Sequence, residues 1–278
     1  MTAQKLAFIG AGNMAYSLMA GLLADGFPSE SLCAADIHPE ARNRLATNLG
    51  VLVHEDNRVA VEGADTVVLA VKPQLMESVL RGLNGLCSGP ERLLVSIAAG
   101  IRCDAIGRWS GGAERIVRAM PNTPAMVQCG ATGLYATAAV SAEQRTRAES
   151  VLRAVGLTVW LQSEADMDAV TALSGSGPAY FFLLMEAMTE AGIALGLDAS
   201  TAALLAQQTA LGAGRMAIES EMAPLELRRR VTSPGGTTER ALEILTDGGW
   251  PALVGAAMTA ARDRAVTLSE TLEGSTQA

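Results

Sequence analysis

The sequence predicts an α/β chain in which a doubly wound parallel sheet is followed by an all-helical segment. Three observations carry that expectation. Short apolar runs alternate with helix-periodic stretches through the first 165 residues, the pattern of β-α-β units and a parallel sheet. The first run stops in a glycine-rich turn, Gly10-Ala11-Gly12-Asn13-Met14-Ala15, that opens a helical pattern. Beyond Asp166 the strand signal vanishes and only helical periodicity remains.

Taken in order, residues 5–9 form a strand and 11–23 a helix; residues 32–36 form the next strand and 40–49 the next helix. Residues 66–71, TVVLAV, are almost pure Val, Leu and Ala, as a strand covered on both faces requires, and 93–98 repeat the pattern. IVRAM at 116–120, GATGLYA at 130–136 and residues 157–161 read as further strands. Ser141 is placed to cap a helix over 141–155, with Glu143 favourable in its first turn. Helices are expected at about 167–196, 200–219, 224–230, 237–247 and 251–272, which sets a domain boundary near residue 165. No internal repeat is present, and the terminal GSTQA is expected to fray.

Apolar residues make up 49% of the 278 and charged residues only 18%, so two cores can be built and a disordered chain is excluded. The net charge of -8 opposes nucleic-acid binding; Arg228, Arg229 and Arg230, the one dense basic cluster, read as a solvated helix end. Cys33, Cys87, Cys103 and Cys129 show no metal-ligand or redox spacing, and His38 and His54 cannot build a metal site alone. Reduced, mostly buried thiols fit a cytoplasmic protein. The start MTAQKLAFIGAG does not read as a signal peptide, and the apolar stretch 179–197 is interrupted by Glu186 and Glu190, so no membrane span is expected.

The chemistry-bearing motifs are loops. In Gly10-Ala11-Gly12-Asn13-Met14, the first glycine permits the tight turn and the second admits a pyrophosphate to the backbone. The helix N-terminus behind them offers free N–H groups. Asp36 ends the second strand, where a carboxylate accepts from a ribose diol and repels a 2′-phosphate; a simple turn aspartate is the competing reading. Arg42 and Arg44 are near enough to offset that repulsion, so NADH and NADPH both stay open. Ala70-Val71-Lys72-Pro73 follows the third strand at the carboxyl edge of the sheet, where ligands of such folds bind. Met120-Pro121-Asn122-Thr123-Pro124 is a stiff loop whose amide and hydroxyl suit a carboxamide or ribose, or only a rigid connection. Ser174-Gly175-Ser176-Gly177-Pro178 starts or kinks the long helix. Ser233-Pro234-Gly235-Gly236-Thr237-Thr238 feeds a second helix N-terminus, where N–H groups of Gly236, Thr237 and Thr238 would hold a carboxylate.

FIGAGNMA, AVKP, MPNTPA, ALSGSGPAY and VTSPGGTTERAL, in this order and spacing, resemble pyrroline-5-carboxylate reductases over nearly the whole chain. The resemblance implies a Rossmann domain over 1–165 and a helical dimerisation and substrate-binding domain over 166–278. It further implies a homodimer or larger homo-oligomer with sites shared between protomers. The glycine loop and AVKP would bind NADPH or NADH, with Asn57 near the adenosine ribose. The loop of Ser233, Gly236, Thr237 and Thr238 would hold the carboxylate of a cyclic imino acid. Thr238 would reach the ring nitrogen, and Glu164 would lie near the substrate. Asp36 stands where NADPH-preferring relatives carry small polar residues, and Arg230 replaces a cofactor-contacting asparagine, so cofactor preference stays open.

The reaction so implied is hydride transfer to 1-pyrroline-5-carboxylate, giving proline. A protonated imine is electrophilic already, which suits a chain without a histidine or cysteine constellation. A β-hydroxyacid dehydrogenase would need a lysine near the start of the long helix, and residues 171–194 contain none. A non-catalytic dinucleotide-binding or scaffold protein would have no use for TSPGGTT.

Overall fold

The computed structural model describes residues 4–83, 85–89 and 91–274; of the GSTQA tail expected to fray, Gly274 ends a helix and residues 275–278 lie outside the described residues. In chain order the strands and helices are β1 (Leu6–Ile9), α1 (Asn13–Ala24), β2 (Leu32–Ala35), α2 (Pro39–Leu49), β3 (Leu52–His54), α3 (Asn57–Val61), β4 (Thr66–Leu69), α4 (Met76–Gly82), β5 (Leu93–Ser96), α5 (Cys103–Trp109), β6 (Ile116–Met120), β7 (Gly130–Ala136), α6 (Ala142–Arg153), β8 (Gly156–Trp160), α7 (Asp166–Val170), α8 (Gly177–Ala194), α9 (Ala199–Glu219), α10 (Pro224–Arg230), α11 (Thr237–Asp247) and α12 (Trp250–Gly274). A π-helical turn, Thr171–Gly175, separates α7 from α8.

Two compact units are formed. The first holds the residues up to Gly175 together with those from Ala261, and the second runs from Ser176 to Ala260. The first unit is built on one eight-stranded sheet in the order β3-β2-β1-β4-β5-β6-β7-β8. Every pairing is parallel except β6 with β7. The link from Pro121 to Cys129 is too short for a crossover, so β7 must return antiparallel.

Alternate residues of one strand enter opposite cores. Phe8, Val68 and Val95 join Leu18, Leu22, Leu45 and Leu152 on one face. Ile9, Val67 and Leu94 join Met76, Leu80, Ile106 and Trp109 on the other. Both faces are covered, which explains the unbroken apolar runs. Helix α6 starts in a reciprocal cap. The Ser141 hydroxyl accepts from the Gln144 N–H at 3.2 Å, and the Gln144 side chain accepts from the Ser141 N–H at 3.1 Å. Pro39 opens α2 and Gly50, at φ +65°, closes it.

The helical unit contains α8 to α11 and the first part of α12. Helix α8 and helix α9 pack on each other, and Ala202 and Ala206 are among the few buried side chains there. The single helix expected over 167–196 is three pieces, because the π turn interrupts it, and Pro178 sits in the first turn of α8. Among the described residues, no helix is long and apolar enough to cross a membrane.

Candidate active site

Strands β1 and β4 pair in register from Leu6 with Thr66 to Ile9 with Leu69, so the turns that follow them meet. Gly10 has φ +100°, and a Cβ there would lie 2.7 Å from the Ala70 carbonyl oxygen. Glycine is therefore required twice, by backbone conformation and by the close approach of Ala70-Val71-Lys72-Pro73. Gly12 differs. It is the N-cap of α1 with φ −66° and ψ −179°, no side chain caps the helix, and a Cβ on it would meet nothing within 4 Å. The orphan N–H groups of the first helical turn, in Asn13 and Met14, thus open onto free space at the positive end of a twelve-residue helix. That arrangement fits a dinucleotide pyrophosphate.

Asp36 lies beside this loop. One of its carboxylate oxygens accepts from the Ala11 N–H at 2.8 Å and the other from the His38 N–H at 2.9 Å. Arg42 donates to the Asp36 carbonyl oxygen at 2.7 Å and pairs with Glu55 at 3.4 Å. Arg44 donates to the Asn13 side-chain oxygen at 2.8 Å and to the Ala11 carbonyl oxygen at 3.1 Å. Its guanidinium lies over the Tyr16 ring, 4.8 Å from the centroid. Asn57 opens α3 behind the Asp56 cap and lines, with Asp56, Ser78 and Val79, a hollow of about 240 Å³.

Two expected ligand contacts have other work in the structure. Asn122 is buried, its side-chain oxygen accepting from the Ala131 N–H at 2.9 Å and its amide nitrogen donating to the Ser174 carbonyl at 3.0 Å. It ties the end of β6 to β7 and the π turn, as a buried amide must satisfy both ends. Glu164 is bound through one oxygen to the Arg118 guanidinium at 2.7 Å and to the Cys103 N–H at 2.7 Å. Arg118 is buried on β6, so this carboxylate neutralises it and also caps α5. Burial, then the Glu164 charge, pushes the Cys103 thiol far above its ordinary range.

In the helical unit the second loop is a tight turn. The Gly236 N–H donates to the Ser233 carbonyl at 3.0 Å, across Pro234 and Gly235, the latter at φ +72°. A Cβ on Gly236 would stand 2.9 Å from the Ser233 oxygen. The Gly236 N–H is thus spent inside the turn, against the expectation that it serves an anion. Glu239 folds back and accepts from the Gly235 N–H at 2.6 Å. Gly236 caps α11 without a side chain, which leaves the first-turn N–H groups of Thr237 and Thr238 and their hydroxyls as donors.

Residues 164–268 match the family model described as pyrroline-5-carboxylate reductase dimerisation. Residues 5–100 match the one described as NADP oxidoreductase coenzyme F420-dependent. A pyrroline-5-carboxylate reductase of Pseudomonas aeruginosa is 53% identical over 272 residues, spanning 98% of this chain and 99% of the relative. The chain belongs to the pyrroline-5-carboxylate reductase family. A pea (Pisum sativum) reductase of the same name is 39% identical over 95% of this chain and 96% of its own. The solved pyrroline-5-carboxylate reductase of Coxiella burnetii superposes with a TM-score of 0.92 at 46% identity, covering 96% of this chain and 99% of that one. The Plasmodium falciparum pyrroline carboxylate reductase, solved with NADP bound, gives 0.84 at 28% identity, covering 97% and 99%.

Within this reductase, residue-by-residue reading passed over Arg118 and Tyr16. Arg118 carried a signal: one charge at a core-facing position of the apolar run IVRAM demands a buried partner. Tyr16 carried none, because helix spacing does not reveal which arginine of a neighbouring helix lies over a ring. Among the described residues, no cluster of His, Cys, Asp and Glu could hold a metal.

Proposed function

We infer that this chain reduces 1-pyrroline-5-carboxylate to L-proline with a hydride from NADPH or NADH, the last step of proline biosynthesis. The observation that carries the reading is the Ser233–Thr238 turn at the start of α11, where no side chain caps the helix, in a chain that reductases of this name match end to end. When bound, the cofactor supplies hydride from nicotinamide C4. Gly10, Ala11, Gly12, Asn13 and Met14 hold its pyrophosphate, with Ala70, Val71, Lys72 and Pro73 as the neighbouring wall. Asp36 and Asn57 serve the adenosine end.

Ser233, Thr237 and Thr238 take the substrate carboxylate, Gly236 shapes the turn, and Thr238 Oγ1 hydrogen-bonds the imine nitrogen. Glu164 lies near the substrate. Residues 1–165 serve as the dinucleotide-binding part and 166–278 as the dimerisation and substrate part. The test is proline formation by purified protein, followed with oxidation of NADPH or NADH. Cofactor binding without turnover would favour the non-catalytic alternative, and turnover of a β-hydroxyacid the dehydrogenase one.

The helical unit supports a homodimer or larger assembly. Helix α8 is mainly apolar, with Glu186 and Glu190 as its charged residues, yet Phe181, Phe182 and Leu183 are each more than 60% exposed within one chain. A helix of this kind is stable only when covered, and a second copy is the partner to which the dimerisation match points. A sharp monomer by light scattering at micromolar concentration would contradict it. A cytoplasmic location fits the four free cysteines.

A further inference from the structure

The peptides on either side of Ala11 are each gripped by a side chain. The Ala11 N–H donates to the Asp36 carboxylate at 2.8 Å, and the Ala11 carbonyl accepts from Arg44 at 3.1 Å. Arg44 spans to the Asn13 side chain with its other terminal nitrogen at 2.8 Å, so one planar fork bridges two successive parts of the glycine loop. The guanidinium also rests on Tyr16, a residue of the helix that the loop opens. Its Nε is buried and has no hydrogen-bond partner. An unpaired buried donor is unfavourable, so the fork and the ring contact together must outweigh it to keep this side chain on the loop.

We propose that Arg44, with Asp36 opposite it, is a positioning residue that presets the two peptides flanking Ala11 for the pyrophosphate, and so strengthens NADH and NADPH binding alike instead of selecting the 2′-phosphate. Asp36 fixes the Gly10–Ala11 peptide plane through its N–H and Arg44 fixes the Ala11–Gly12 plane through its carbonyl, so the backbone at Ala11 cannot rotate freely. The orphan N–H groups that follow it are then aimed before the cofactor arrives, and the ordering cost falls outside the binding step. Pyrophosphate is common to both cofactors, so loss of the grip weakens both by one factor. An arginine that served the 2′-phosphate would leave NADH untouched. The proposal rests on the reading that this loop binds a dinucleotide.

The test uses the full chain as wild type, Arg44→Met and Arg44→Lys, with two readouts. Amide hydrogen exchange on the cofactor-free protein is expected to quicken at Ala11 in Arg44→Met while β1 and β4 stay protected. Fluorescence titration is expected to show Kd for NADH and for NADPH rising together, by roughly three- to tenfold, with their ratio unchanged. Lysine reaches only one of the two acceptors, so Arg44→Lys should fall between. Loss confined to NADPH would overturn the proposal, as would unchanged Ala11 exchange. A wild type that binds neither cofactor would remove the dinucleotide reading and the proposal with it, whereas normal wild-type binding with an inert Arg44→Met would remove the proposal alone.

Discussion

Replacing Gly12 by valine separates binding from folding. The site tolerates a side chain: φ −66° and ψ −179° suit a β-branched residue, and a Cβ meets no atom within 4 Å. The loss to the fold is that of a poorer N-cap, at most about 1 kcal/mol, or roughly 2–4 °C in melting temperature for a chain of this size. The loss to the ligand is larger, because the branched side chain fills the space before the N–H groups of α1. An anion at a favourable helix N-terminus gains up to about 2 kcal/mol, so excluding it should raise Kd some thirtyfold.

Gly10→Val is the contrast, with a clash 2.7 Å from the Ala70 oxygen and an unfavourable φ of +100°, and it should fail to fold stably. Fluorescence titration with NADH and NADPH, beside a melting curve, checks both. A folded Gly12→Val that binds either cofactor with wild-type affinity would refute this placement of the pyrophosphate.

Thr238→Ala should lower kcat/KM for the imine about ten- to hundredfold, the loss of one hydrogen bond to a charged group at roughly 1.5–3 kcal/mol. Cofactor Kd should hold, and Thr237→Ala should do less because its backbone N–H remains; the reverse order in steady-state kinetics would mean the two roles are misassigned. Asp36→Ser should shift the ratio of specificity constants toward NADPH by removing a negative charge, and a ratio that stays put would place the carboxylate away from the ribose. Glu164→Ala would leave Arg118 buried and unpaired, lowering stability by about 3 kcal/mol and the melting temperature by roughly 6–12 °C; an unchanged melting curve would contradict the ion pair. Burial pushes the Cys87 thiol up to about 11, so at pH 8 about one in a thousand is thiolate. Native thiol titration should therefore label the exposed Cys129 first, and early labelling of Cys87 would contradict its burial.

The two-faced cores made much of this fold legible, because strands covered on both sides cannot hide polar residues. The glycine turn was legible too, since Gly10 is demanded by the backbone of Ala70. Strand β3 was not: it has three residues, and Leu52 is exposed at the sheet edge, so no apolar run marks it. The reversal of β7 lies in the brevity of the preceding loop, and strand period carries no direction. The π turn was invisible because Thr171–Gly175 keeps helical periodicity. Asn122, Glu164 and Gly236 show the other limit. Motif position places a polar group near a site, but which protein atom claims it first is decided by packing.

The most direct test of the account follows the hydride itself. Purified protein given 1-pyrroline-5-carboxylate and nicotinamide cofactor deuterated at the transferable C4 position should yield L-proline with one deuterium at C5, one for each cofactor oxidised. Cofactor that binds but yields no proline, or proline without the label, would contradict it.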